Sequence, residues 1–179
     1  MIYFITGSKH KLAEAKAILG EDKVEGLDID LPEIQETDPH KIIAEKLEEA
    51  RKHHGGEFIV EDSSLCLDAL GGLPGPLIKW FLKSIGNEGL VEIARKMGED
   101  RAQAKTLIGY SNGNGETEFF EGVVEGRIVS SSGESDFGWE PIFEVSGHGR
   151  TFAEMDFEEK NAISMRKIAL EKLRNYLKN

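Results

Sequence analysis

The sequence has one cysteine, little positive charge and no long apolar run. Because Cys66 is the only cysteine among 179 residues, no disulfide can form within the chain, and a reducing, cytoplasmic location is expected. The formal net charge of −11 argues against general binding to DNA or RNA, which requires a positive surface. Since no apolar run approaches the length of a membrane span, no membrane partner is expected.

The composition is otherwise that of a globular domain, with 31% charged and 39% hydrophobic residues. A chain of 179 residues can bury a substantial core, so one domain over residues 1–179 is expected, built as two lobes. An acidic chain can still bind an anionic small molecule if lysine and arginine side chains gather locally, with or without a divalent metal.

The first third of the chain alternates strand and helix signals. Strands are predicted at 2–6, at the start of "KVEGLDIDLPEI", and at "EFIVED" (57–62), which would end on two acids. A helix is predicted from "KHK" to Gly20, and a second from the N-cap Asp38 through Pro39 to a stop at Gly55. This β-α-β-α-β pattern indicates an α/β sheet with ligand sites at the carboxyl ends of its strands, where "TGSKHK" and "EDSS" would lie.

The rest of the chain is predicted to be helical, then β-rich, then helical again. Residues 76–98 indicate a helix interrupted near Gly86, with Asn87 as an N-cap and Gly98 as a stop. "AKTLIGYSNGNGETEFFEGVVEGRIV" indicates strands joined at "SNGNGE". "DFEEKNAISMRKIALEKLRNYL" predicts one closing helix with Asp156 as its N-cap.

Four groups of residues could carry chemistry, and each has an ordinary structural alternative. "TGSKHK" could bind phosphate at a helix N-terminus or be a turn with solvated lysines. Glu33, Glu61 and Asp62 could hold Mg²⁺ or be solvated acids. The aromatic loop residues Phe137 and Trp139 could stack a base or cover the core. The basic residues Lys160 and Arg166 of the last helix could bind substrate or face solvent.

Together these segments resemble the inosine triphosphate pyrophosphatase family, the Ham1-like pyrophosphatases of non-canonical purine nucleoside triphosphates. The resemblance extends in order over nearly the whole chain. The segments that carry it are "TGSKHKLAEAKAIL", "LPEIQE", "VEDSSLCLDALGGLPGPLIKWFL", "DFGWEPIF" and "TFAEMDFEEKNAISMRKIAL".

The resemblance implies a fold and an activity. The fold would be an elongated mixed α/β sheet with flanking helices, in two lobes around a central nucleotide-binding cleft. The activity would be Mg²⁺-dependent hydrolysis of ITP, dITP and XTP at the α-β phosphoanhydride, which yields the monophosphate and pyrophosphate and cleanses the nucleotide pool. Mn²⁺ is an alternative ion, and a homodimer is implied.

The resemblance also assigns roles to individual residues. Asp62 and Lys11 would be catalytic, and Glu33 and Asp62 would bind the metal. Lys46 matches a substrate lysine if one inserted residue is allowed. The full set of substrate-binding matches is Thr6, Gly7, Ser8, Lys9, His10, Lys11, Lys46, Ser63, Lys79, Phe137, Gly138, Trp139, Glu140, Lys160, Met165 and Arg166.

Three positions depart from the family pattern. The family has Asn at Ser8, usually Asp at Glu140, and His at Met165 within a Ser-His-Arg run. Because methionine cannot donate a hydrogen bond, a lost contact to the purine would weaken selectivity by roughly 1–3 kcal/mol. Retained hydrolysis with altered base preference is expected. The alternatives are a nucleotide-binding homologue without turnover and a pyrophosphatase of shifted base specificity, as in the Maf-like proteins.

Overall fold

The structure is a computed structural model that describes residues 1–135 and 138–178. Its strands are β1 (Ile2–Ile5), β2 (Val24–Leu27), β3 (Phe58–Leu67), β4 (Pro74–Gly75), β5 (Arg101–Ser111), β6 (Thr117–Ile128) and β7 (Phe143–Val145). Its helices are α1 (Lys9–Leu19), α2 (Pro39–His53), α3 (Ile78–Ser84), α4 (Gly86–Met97), α5 (Phe157–Ile163) and α6 (Met165–Tyr176). Within the described residues the seven strands form one sheet in the order β2-β1-β3-β5-β6-β7, with β4 beside β3.

The sheet is mixed, which confirms the predicted α/β class. β1 pairs in parallel with β2 and with β3, where Phe4 aligns with Ile59. β3 pairs antiparallel with β4, and β6 pairs antiparallel with β7. The β-α-β-α-β reading of the first third is therefore correct, because the helices α1 and α2 connect the parallel strands.

The chain divides into two compact units, of which unit 1 comprises residues 1–62, 106–122 and the segment from Met165 onward. Its sheet carries a hydrophobic cluster with α1 and α6 on one face and another with α2 on the opposite face. The first cluster is Ile2, Phe4, Ala15, Leu19, Val24, Ile59, Ile108, Tyr110, Ala169, Leu170 and Leu173. The second is Ile5, Ile43, Leu47, Ala50, Phe58, Val60 and Leu107.

Strand β3 supplies both clusters because successive side chains of a strand point to opposite faces. Phe58 and Val60 belong to the α2 cluster, whereas Ile59 belongs to the α1 and α6 cluster. The same alternation continues into the two acids that follow. Glu61 therefore faces α1 and α6, and Asp62 faces α2.

The prediction that β3 ends on these acids is wrong. β3 runs on to Leu67, so Glu61 and Asp62 lie inside it. The register shared with β1 reaches only Ile59, but the later part of β3 gains a new partner, β4, through Leu65 and Cys66. Both acids are buried, with 7% and 8% of their surface exposed, and thus need charged partners.

Unit 2 comprises residues 63–105 and 123–164. Phe143 and Phe152 stack in its core with ring centroids 5.5 Å apart, and the Trp139 ring meets Phe143 edge-on at 5.7 Å. Asn87 is not an N-cap as predicted. It lies within α4, whose N-cap is Ile85, and its side-chain amide donates to the Gly138 carbonyl instead.

The caps of the other helices confirm most sequence signals. Asp38 caps α2, and Asp156 caps α5 within a capping box. α4 is followed by Gly98 in the left-handed region at φ +69°, as predicted. α2 ends at His53, two residues before the expected Gly55, and the backbone N–H of His54 donates to the Ala50 carbonyl.

The closing helix is not continuous, contrary to prediction. Ser164 has an extended backbone, with φ −66° and ψ 152°, and separates α5 from α6. At the start of α6 a Cβ added to Gly122 of β6 would collide with the Met165 carbonyl and the Ala169 nitrogen. β6 thus approaches this helix backbone so closely that only glycine fits. In the described part of the chain, no helix is both long and apolar enough to cross a bilayer.

Candidate active site

The turn from β1 into α1 is fixed by its own hydroxyl groups. The Ser8 backbone N–H donates to Thr6 Oγ1 over 3.1 Å, and the Lys11 backbone N–H donates to Ser8 Oγ over 3.4 Å. Ser8 is therefore the N-cap of α1, a role for which serine suits as well as the family's asparagine. Gly7, Lys9 and His10 are exposed around this turn.

A cavity of about 200 Å³ lies beside this turn within unit 1. Its wall combines hydroxyl, ammonium and carboxylate groups with an apolar floor. The lining residues are Ile5, Thr6, Lys11, Ile29, Asp30, Leu31, Glu33, Lys46, Val60 and Glu61. Two lysines and three acids line this cavity, so an anion there would need the charge of a bound cation in addition to the two ammonium groups.

Lys46 brings together acids that are distant in sequence. Its Nζ lies 2.5 Å from Glu33 Oε1 and 3.8 Å from Asp62 Oδ1. It also donates to the Glu61 carbonyl over 3.3 Å. Glu33 and Asp62 thus share one ammonium group, which occupies the kind of oxygen-lined position that a metal cation would take.

A second ion cluster is buried on the α1 and α6 face of β3. Arg166 donates through Nε and Nη2 to the Glu61 carboxylate and through Nη1 to both oxygens of Glu14. Lys11 Nζ lies 2.8 Å from Glu61 Oε1. Two acids and two bases therefore balance in charge, and Glu61 joins the interior pair to the cavity.

The two neighbouring acids have opposite pKa shifts. Burial acts to raise the pKa of Glu61, but the charges of Arg166 and Lys11 outweigh it and lower that pKa to about 2. Burial raises the pKa of Asp62 to about 6, although Lys46 opposes the shift. Glu61 thus stays ionised over the physiological range, whereas Asp62 exchanges a proton near neutrality.

Of the predicted base-binding residues, Gly138, Trp139, Glu140 and Lys160 lie in unit 2, whereas Met165 and Arg166 lie in unit 1. Lys160 Nζ lies 2.6 Å from Glu140 Oε1, and the Ser135 hydroxyl donates to the other Glu140 oxygen over 2.6 Å. Trp139 is only 2% exposed and packs in the aromatic core. Stacking of Trp139 on a base therefore stays a prediction.

Three more sequence-predicted residues are described by the structure, and a fourth is not. Ser63 follows Asp62 in β3, and Lys79 is exposed on α3. Met165 is the first residue of α6 and is 4% exposed. Phe137 lies outside the described residues.

Sequence reasoning placed Arg166 among the substrate-binding residues and did not identify Glu14. In the structure Arg166 is 4% exposed and its guanidinium binds Glu61 and Glu14. A signal for Glu14 was present, because it precedes Ala15 on the side of α1 that is buried. A glutamate on an apolar helix face needs a buried cation, but the sequence does not say which one.

The residues fit a magnesium ion by their chemistry. Glu33 and Asp62 supply carboxylate oxygens that already hold a cation, the Lys46 ammonium. Over residues 1–135 and 138–178, no group of three or more His, Cys, Asp and Glu side chains forms a metal cage. Two carboxylates suit Mg²⁺, which retains waters and shares substrate phosphates rather than entering an all-protein cage.

The fold and the cavity define a mixed α/β protein with a site suited to an anion and a hard cation. The Ham1 family model matches residues 2–176. An inosine triphosphate pyrophosphatase of Aspergillus oryzae is 48% identical over 98% of this chain and 92% of its own length. One of Puccinia graminis f. sp. tritici is 43% identical over 98% and 95%, respectively.

Solved structures agree with these sequence matches. The HAM1 protein of Coxiella burnetii superposes with a TM-score of 0.84 at 30% identity, covering 99% of this chain and 98% of that one. The chain belongs to the Ham1 family.

Proposed function

We propose that the protein hydrolyses non-canonical purine nucleoside triphosphates, namely ITP, dITP and XTP, to the monophosphate and pyrophosphate. Relatives at 43% and 48% identity are named inosine triphosphate pyrophosphatases. The observation that carries the proposal is the shared cavity: Glu33, Lys46 and Lys11 line it, and Lys46 also contacts Asp62. Carboxylates beside two ammonium groups can hold a metal–triphosphate complex.

Glu33 and Asp62 would hold the Mg²⁺, with Mn²⁺ as an alternative ion. When bound, the ion polarises the phosphoryl oxygens and offsets their charge. Displacing the Lys46 ammonium from these carboxylates would leave it free to bind a phosphate oxygen.

The chain's own groups account for the proton and the leaving group. Asp62 accepts a proton from the water that attacks the α-phosphorus. A bond from the water oxygen to the α-phosphorus forms as the bond to the α-β bridging oxygen breaks. Lys11 and Lys46 offset the charge that develops on the departing pyrophosphate.

The roles of the other matched residues follow the resemblance. Thr6 to His10 would surround the phosphates with Ser63 and Lys79. Phe137 to Glu140, Lys160 and Met165 would contact the base. A base that carries an acceptor at position 6 would be favoured over adenine, because the adenine amino group would oppose a donor. Met165 stands where the family has histidine, so base preference is where this chain should differ from its relatives.

The proposal is tested by following products from ITP, XTP, dITP, ATP and GTP with Mg²⁺. We expect pyrophosphate and monophosphate, most rapidly from the inosine and xanthosine substrates. In H₂¹⁸O the label should enter the monophosphate, because the water attacks the α-phosphorus. Label in pyrophosphate, or release of orthophosphate, would contradict the mechanism.

Two variants provide the controls. Asp62→Asn should lower turnover by at least about 10²-fold, the scale of a lost general base. Asp22→Asn makes the same change at an exposed turn after α1 and should leave turnover unchanged. Absence of pyrophosphate from every nucleotide, with tight ITP binding by calorimetry, would instead support a binding protein without turnover.

Three further properties are proposed with this function: a single domain, a homodimer and a cytoplasmic location. The single domain and the homodimer are inferred from the resemblance, and light scattering of the purified protein would measure its oligomeric state. A cytoplasmic location is supported by the lone Cys66, which fits a reducing compartment.

A further inference from the structure

Glu61 is the point at which the interior ion cluster meets the cavity. Its Oε1 accepts from Arg166 Nη2 over 3.0 Å and lies 2.8 Å from Lys11 Nζ. Its Oε2 accepts from Arg166 Nε over 2.9 Å. The Glu61 side chain is 2% exposed, whereas Lys11 is 21% exposed, so the contact runs from a rigid interior group to a partly solvated one.

Arg166 fixes the direction of the Glu61 carboxylate. A planar guanidinium that bonds a carboxylate through two nitrogens sets its position and its plane. The third nitrogen, Nη1, donates to both oxygens of Glu14 at 3.0 Å each. Arg166 is therefore fixed on both sides, between α1 and β3.

Lys11 needs such an anchor because its own side chain is flexible. A lysine carries a compact charge on a four-carbon stem, and it loses rotamer entropy when it is fixed. Asp30 and Glu33 line the same cavity, and their negative charge would draw the ammonium in other directions. An ionised Glu61 at 2.8 Å holds the charge in one place before substrate arrives.

We propose that Glu61 is a positioning residue that holds the Lys11 ammonium toward the triphosphate, and that Arg166 holds Glu61 for this purpose. The inference rests on the proposed function and deepens it. It gives Arg166 a task inside unit 1 that differs from contact with the purine edge. It also explains why an acid lies next to Asp62 but faces the other way.

The chain offers a matched pair of variants for the test. Glu61→Gln and Glu14→Gln both remove one buried negative charge beside Arg166 without changing side-chain size. Glu61 forms an ion pair with Lys11, whereas Glu14 forms one with Arg166. A purely structural role predicts similar consequences for the two variants, and positioning predicts different ones.

The first readout does not require activity. The lysines are labelled by reductive ¹³C-methylation, and the Lys11 resonance is assigned with Lys11→Arg. Glu61→Gln should shift and broaden the Lys11 resonance, because the ammonium loses the buried anionic partner that lies 2.8 Å away. Glu14→Gln should change the Lys11 resonance much less. Equal behaviour of Lys11 in both variants would overturn the proposal.

The second readout is kinetic. Glu61→Gln should raise the KM for ITP by about tenfold, the scale of one lost charge-assisted contact, at matched thermal stability. In the Lys11→Met background the same substitution should add little, since Lys11 is the group on which Glu61 acts. Additive effects would contradict positioning.

Two outcomes keep the inference separate from the proposed function. If the wild-type protein releases no pyrophosphate, the function fails, yet the Lys11 resonance still tests the positioning. If Glu61→Gln does not fold, Glu61→Asp keeps the charge but withdraws it by one methylene. Its Lys11 resonance should then shift in the same direction by a smaller amount, and an unshifted resonance would overturn the proposal.

Discussion

Lys46 contacts oxygen atoms from separate segments of unit 1. Its ammonium lies near the carboxylates of Glu33 and Asp62 and near the Glu61 carbonyl. A divalent cation at the two carboxylates would compete with this ammonium for the same oxygens. Metal and lysine should therefore bind there in alternation, and the phosphates of a substrate would give the displaced ammonium a new partner.

Lys46→Met is expected to strengthen the binding of Mn²⁺ alone and to weaken that of the nucleotide. The variant removes a competing positive charge, so the Kd for Mn²⁺ without nucleotide should fall by about tenfold, as for the loss of one close charge pair. Free Mn²⁺ is measured by its electron paramagnetic resonance signal.

Lys41→Met is the control for this experiment. Lys41 is on the same helix, is 63% exposed, and pairs with Glu36 at 3.1 Å. It should not alter Mn²⁺ affinity. An unchanged Kd in Lys46→Met would show that the ammonium does not compete with the metal.

The interior contacts of Arg166 could not be read from the sequence, although the residue types were visible. The family resemblance selected Glu33, Lys46 and Asp62 from 55 charged residues of the four ionised types. Arg166 and Glu14 are separated by 152 positions, and only packing of α6 on α1 brings them together. Local sequence carries no signal for a bond at that separation.

At the scale of elements, the start of α6 is held by its contact with β6. Gly122 has space for no side chain, because an added Cβ would meet the backbone of Met165 and Ala169. Arg166 directly follows Met165 in α6, so this contact also fixes the position of the Arg166 backbone, from which its guanidinium reaches Glu61. Backbone atoms cannot move aside as a flexible side chain can.

Gly122→Ala is expected to lower the free energy of unfolding by about 1–3 kcal/mol, the typical effect of overpacking. Urea denaturation measures the change. Gly55→Ala is the control, since nothing lies within 4 Å of its added Cβ. It should remain within about 0.5 kcal/mol of the wild type. Equal stability of the two variants would contradict the close approach.

Elements with strong end signals were predicted well. The caps Asp38 and Asp156 and the stop at Gly98 mark their helices, because each satisfies backbone groups locally. β3 was predicted too short because its later pairing with β4 is not a local property. The break at Ser164 was missed because no proline or glycine marks it.

At the scale of the whole molecule, Glu61 and Asp62 affect stability in opposite directions. Glu61 has a lowered pKa, so its ionised form stabilises the fold above about pH 4.5, and this contribution is lost as the pH falls toward 2. Asp62 has a raised pKa of about 6 against an ordinary 3.8. Between those values the folded chain retains a proton that the unfolded chain has released, so stability falls as the pH rises.

Asp62→Asn should therefore stabilise the protein while it removes turnover. The expected gain is about 1–3 kcal/mol near pH 7.5 and much less near pH 4.5, since the asparagine never ionises. Urea denaturation in the presence of EDTA at both pH values measures it, with Asp22→Asn as the reference. A gain that is the same at the two pH values would mean that Asp62 ionisation is not its cause.

The chain has a net charge of −11, and its cavity also contains more acids than bases, because Asp30, Glu33 and Glu61 line it with Lys11 and Lys46. Composition argues against general nucleic-acid binding, but it could not locate Lys11 and Lys46 in one cavity. Lys11 is on α1 and Lys46 is on α2, and these helices lie on opposite faces of the sheet. The two lysines reach one cavity only because β1 and β3 run in parallel between the helices.

The alternation of β3 has a consequence for how this stretch can vary. Glu61 faces the helices α1 and α6, and Asp62 faces α2. Only the alternation of side chains along β3 directs each acid to its own face of the sheet. One residue inserted within β3 ahead of the pair would exchange the faces, so that Asp62 would face Arg166 and Glu61 would face Lys46. A change in the length of β3 would therefore affect both acids at once, unless a bulge restored the alternation.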